Sequence, residues 1–120
     1  MPLIPDPNPR PENRRRSQRL KVRIAVEVRL QKPGKKSLPE KTNAISVNAH
    51  GGLVLLATHV EIDQLVVVKN VASNEELLGR VTSLGDTFMG KTQVAIEFIL
   101  PVPDFWGVAS IPKDWKPLRR

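Results

Sequence analysis

Four arginines in six positions, in Arg14-Arg15-Arg16-Ser17-Gln18-Arg19, are the residues of this chain best suited to chemistry. Guanidinium groups present planar forks of donors that match phosphate oxygens and the O6/N7 edge of guanine. The cluster is therefore an anion-binding element for a phosphorylated small molecule or a nucleic acid. Catalysis has no comparable set of residues. No glycine-rich phosphate loop, readable carboxylate pair or cysteine nucleophile is present, and the protein is expected not to be an enzyme. With no cysteine and only two histidines, His50 and His59, neither a disulfide framework nor a structural metal site is expected.

The element that must aim the arginines follows them directly. From Lys21 to Leu30 the sequence alternates, with Val22, Ile24, Val26, Val28 and Leu30 on one face, so a strand begins where the arm ends. The net charge of +7 is concentrated there: residues 1–41 carry +8 and residues 42–120 carry −1. A near-neutral body with one basic end favours a local anion site over a face that coats a long polyanion. A nucleic-acid-binding barrel is the weaker alternative, since the chain has no tyrosine and few strand aromatics on which bases could stack.

Five prolines alternate with polar residues from Pro2 to Pro11, which forbids helix and paired strand. Residues 1–16 are expected to be a flexible Pro/Arg-rich arm. Further strands are expected over Lys41–Asn48, Leu53–Ala57, Leu65–Lys69, Glu76–Leu84 and Thr92–Ile99. In the second of these, Asn43, Ile45 and Val47 are expected to face the core, while Ser46 and Asn48 share the outer wall. Turns are expected at Lys32-Pro33-Gly34-Lys35-Lys36, Asn74-Glu75 and Leu84-Gly85-Asp86, and a tight turn or bulge at Gly51-Gly52.

Six short strands without a helical period give an all-β fold, a six-stranded antiparallel β-barrel over residues 17–100 that leaves no open edge. The prolines of the tail, residues 101–120, exclude a long helix, and Phe105, Trp106 and Trp115 are expected to pack on the barrel. No apolar run approaches the roughly 20 residues that span a bilayer, and no signal peptide is apparent, so a cytoplasmic protein without membrane insertion is expected.

These residues resemble the PilZ domains, small bacterial β-barrels that bind the second messenger cyclic di-GMP. The family's Arg-x-x-x-Arg motif ahead of the first strand is matched by Arg15-Arg16-Ser17-Gln18-Arg19, with Arg14 as an extra cation. Its Asp/Asn-x-Ser-x-x-Gly motif is placed on Ser46-Val47-Asn48-Ala49-His50-Gly51, where only Gly51 matches. Ser46 stands for the usual Asp or Asn, and Asn48 for the usual Ser. Val94-Ala95-Ile96-Glu97-Phe98 is similar to the Val-Gly-Val-Glu-Phe common in the last strand, so the likeness runs over roughly residues 14–100.

The resemblance implies binding without turnover. Arg14, Arg15 and Arg19 would hold phosphates and guanine edges, and Ser46, Asn48 and Gly51 would meet a guanine from the outer wall. Asn48 offers an acceptor and donors and Ser46 a hydroxyl, but neither supplies the negative charge of an Asp. A loss on the order of 1–3 kcal/mol in binding is expected from that substitution. Ordering of the arm on the nucleotide would give a protein partner, unidentified from the sequence, a shape change to read. The alternative is a degenerate PilZ-like adaptor that has lost the nucleotide and works through protein contact.

Overall fold

The computed structural model describes residues 19–32, 35–100 and 102–107. Seven strands follow one another: β1 (Leu20–Lys32), β2 (Lys35–Lys36), β3 (Glu40–Asn48), β4 (Gly51–Leu56), β5 (Leu65–Asn70), β6 (Glu76–Phe88) and β7 (Lys91–Phe98). A single 3-10 turn, Pro103–Trp106, ends the described chain. The sheet runs β2-β1-β3-β4-β7-β6-β5 and closes because β1 also pairs with β5. All pairings are antiparallel. Since β2 only extends one end of β1, the barrel is the expected closed, six-stranded one, with a two-residue strand that no sequence periodicity could mark.

Closure depends on β1 having two partners along one stretch. Its residues Val26 to Leu30 pair with Asn70 to Val66 of β5, while Val26 to Val28 also pair with Thr42 to Glu40 of β3. Inward residues from the six long strands fill the interior: Val26, Val28, Ala44, Val47, Val54, Leu56, Val66, Val68, Val81, Val94, Ile96 and Phe98. Valine dominates because a β-branched side chain is already restricted on a pleated strand and is short enough for a narrow barrel.

Several expectations are corrected. In β3 the register shifts between Ala44 and Ser46, and the extra residue changes which side chains face inward. Thr42 and Ala44 are therefore buried instead of Asn43 and Ile45, whereas Val47 keeps its expected inward place. Burial of Thr42 is tolerated because its hydroxyl donates to the Leu55 carbonyl. Gly51 and Gly52 do not form the turn. That position belongs to Ala49 and His50, and β4 starts at Gly51 and ends at Leu56, not Ala57.

The last two corrections concern β6. Leu84, Gly85 and Asp86 lie within this strand, and the hairpin turns at Met89-Gly90, whose φ angles are 52° and 81°. Two positive φ angles in a two-residue connection match the right-handed twist of the flanking strands. Shifts between Val81 and Ser83 and between Leu84 and Thr87 break the alternation that would have marked the strand's full length. The connection expected at Asn74-Glu75 is present, with Asn74 at φ 66°. Pro33, Gly34 and residues 1–18, which include the expected arm of residues 1–16, lie outside the described residues.

The tail completes the core. Phe105 and Trp106 are 1% and 3% exposed and meet Phe98 in an aromatic cluster with ring centroids 5.0–5.6 Å apart. Asn70, buried in β5, donates from Nδ2 to the Phe105 carbonyl at 2.7 Å and so fixes the 3-10 turn to the barrel end. The Trp115 expectation falls outside the described residues. Among the described residues no helix is long and apolar enough to cross a membrane.

Candidate ligand-binding site

Strand register brings four of the six candidate residues to one end of the barrel. Leu20 pairs with Val47 and Lys21 with Ser46, so Arg19, one residue before the ladder begins, leaves β1 level with Asn48. Asn48 in turn pairs with Gly51 across the tight β3–β4 connection. Arg19 is exposed, Ser46 and Asn48 are half-buried and Gly51 is buried. Ser46 and Asn48 share the outer wall as expected, because the bulge precedes both of them. Arg14 and Arg15 lie outside the described residues.

The connection is held by its own polar atoms. Asn48 Oδ1 accepts from the backbone N–H of His50 at 2.9 Å, a local turn that asparagine forms readily. One acceptor direction of Asn48 is thus committed to the fold. The carbonyl of His50 accepts from the Phe98 N–H at 2.7 Å, tying the connection to β7.

Gly51 matches the family motif for a reason other than a left-handed backbone. Its φ is not positive. A Cβ at this position would collide with the carbonyl oxygen of Ile96, so glycine is required by the close approach of β4 to β7. The pairing of Gly51 with Glu97, and of Glu97 with Arg80, continues the row around the outer wall. Arg80 Nη2 lies 3.6 Å from Glu97 Oε1 and its Nε 3.8 Å from Asp63 Oδ1, a loose exposed network.

Three residues of this neighbourhood were not singled out as binding residues by the sequence: Lys21, which pairs with Ser46, Glu97, and Trp106. Alternation alone places Lys21 and Glu97 outward, but only the register places them beside the motif. Trp106 was expected to pack on the barrel, but no local signal placed it beside the Asn48–Gly51 connection. Among the described residues one open cleft, lined by Glu27, Arg29, Lys69 and Glu76, lies away from the candidate residues, and another, lined by Arg23, Asn70, Asp104 and Trp106, touches their neighbourhood through Trp106. The described candidate residues lie on the barrel's outer surface at one end, where Arg19 and Lys21 are the described cations beside Ser46 and Asn48. Among the described residues no group of three His, Asp or Glu side chains could hold a metal ion.

In comparison with known proteins, the sequence matches no family model and no curated protein. The resemblance to PilZ domains rests on the motif residues and their placement alone.

Proposed function

We propose that this protein is a non-catalytic receptor for cyclic di-GMP, acting in the cytoplasm and signalling to a protein partner. The observation that carries this reading is the β1–β3–β4 register, which gathers Arg19, Ser46, Asn48 and Gly51 at the mouth of the basic arm. Arg19, with Arg14 and Arg15, supplies forks for phosphates and for the guanine O6/N7 edge. Ser46 and Asn48 supply neutral partners for a guanine from the outer wall.

Calorimetric titration with cyclic di-GMP tests it, with GTP and an Arg15→Ala/Arg19→Ala double variant as controls. Selective binding near micromolar that the double variant loses is the expected outcome. Absence of binding by calorimetry and by a second method would end this reading. Ser46→Asp restores the charge usual at that position and is expected to tighten binding, by about 1–3 kcal/mol if a charge-assisted hydrogen bond forms.

A protein adaptor without nucleotide is favoured by a different observation. The β6–β7 hairpin carries Phe88 and Met89 at its tip, 76% and 85% exposed. Exposed large apolar groups mark contact surfaces when they cluster. Loss of partner capture in a Phe88→Ser/Met89→Asn variant, with cyclic di-GMP binding absent from both it and the parent protein, would favour the adaptor.

A further inference from the structure

Trp106 lies beneath the Asn48–Gly51 connection, not merely against the core. Its indole Nε1–H is shared between two carbonyls, that of Asn48 at 3.0 Å and that of Gly51 at 3.2 Å. These are the two residues that begin and end the connection, so one donor spans it. Gly52 leaves the space the ring needs, since a Cβ there would stand 3.0 Å from Trp106 Cζ2. The ring is held from behind by Phe98 and Phe105, and the Phe105 carbonyl by buried Asn70. An unbroken line of contacts thus runs from β5 through the 3-10 turn to the motif residues.

We propose that Trp106 is a positioning residue of the candidate site, holding Asn48 and Gly51 in their binding arrangement through its indole N–H and coupling occupancy of the site to the 3-10 turn. The part of this inference that concerns ligand rests on the cyclic di-GMP reading above. Removing the donor that the two carbonyls share in a largely buried setting would weaken the connection's closure and let it open, and Asn48 with it. Linkage then requires reciprocity: if the indole bond favours ligand, ligand favours the bond by the same factor.

The test uses the full chain in a Trp115→Phe background, which leaves Trp106 as the one indole of the two in the sequence. Trp106→Phe keeps an apolar ring and removes the N–H. A second form carries benzothienylalanine at position 106, where sulfur replaces the N–H at nearly constant ring size, and this separates the hydrogen bond from packing should the phenylalanine form fail to fold. In both, amide hydrogen exchange at His50, Gly51 and Gly52 is expected to accelerate about tenfold, the factor carried by one hydrogen bond of about 1.4 kcal/mol. Exchange at Val66 and Val68 in β5 is expected to stay as it was. The cyclic di-GMP dissociation constant is expected to rise by the same tenfold, and ligand is expected to shift Trp106 fluorescence in the background protein.

Unchanged exchange at residues 50–52, or equal acceleration there and in β5, would overturn the positioning role and leave only packing. Faster exchange at the connection with unchanged ligand affinity and no fluorescence shift would overturn the coupling while the receptor reading stands. If the background protein binds no cyclic di-GMP at all, the receptor reading and the coupling built on it fail together, and exchange alone decides the positioning role.

Discussion

Adding one carbon at Gly51 brings a methyl group against the Ile96 carbonyl, with backbone on both sides and no flexible side chain to yield. Gly51→Ala is expected to lower stability by about 1–3 kcal/mol, the range for overpacking a close contact, read as a shift in urea midpoint. Gly90→Ala meets no atom within 4 Å but inherits φ +81°, and is expected to cost about 1 kcal/mol through backbone strain alone. The sequence marked Gly51 as the one matching residue of its motif, yet the reason for the glycine was invisible, because the colliding oxygen belongs to a strand some 45 residues away. Glu40 offers a residue-scale test of pH. Burial pushes its carboxyl up from the usual 4.5, but the N–H groups of Ala57 and Thr58, the Thr58 hydroxyl and the charge of Lys91 outweigh this and hold it below. A lowered folded value means stability that is present above the unfolded value and lost as pH falls through the folded one. Glu40→Gln is therefore expected to be destabilising at neutral pH, by an amount that shrinks as the solution is acidified below the ordinary glutamate range. Urea titrations of both proteins across that range check it.

At the scale of elements, the β6–β7 hairpin shows where sequence reading stops. Short apolar runs located all six long strands and the start of β6 at Glu76, but two bulges hid the far end of β6, and a connection was expected inside the strand at Leu84-Gly85-Asp86. The actual connection, Met89-Gly90, places a long apolar side chain at φ 52°, a conformation that asparagine accepts far more readily. Met89→Asn is expected to raise stability by about 0.5–1 kcal/mol, seen as a higher thermal midpoint, without altering the fold. In β3 the same device had a milder consequence. Its bulge exchanged Asn43 and Ile45 for Thr42 and Ala44 in the core, but it preceded Ser46, so both motif side chains kept their expected outer place.

For the molecule as a whole, the last described residues belong to the core. Truncation before Val102 removes Phe105 and Trp106 together and is expected to cost several kcal/mol, given about 3–5 kcal/mol for emptying the site of one large aromatic. Circular dichroism and thermal melting of chains cut before residue 102 and after residue 107 check this; the second cut spares the cluster and is the one suited to asking whether the remaining tail recruits a partner. The closed barrel of six long strands was legible because short apolar runs, clearest as alternation in β1 and β7, are punctuated by turn residues, whereas the order of the strands in the sheet was not. The site was legible only in part. Arginine spacing and Gly51 could be read locally, whereas the meeting of Arg19 with Asn48, and of Trp106 with both ends of the connection, depends on pairings between distant segments. The aromatic lock at the barrel end also has a consequence for synthesis. Among the described residues Phe105 and Trp106 are the last large groups to join the interior, so a chain emerging from the ribosome holds every described strand before these two rings can seal them. Until then the Phe98 ring and the Asn70 amide face an open mouth, and messages cut short upstream of residue 105 yield barrels that present this mouth to chaperones and proteases.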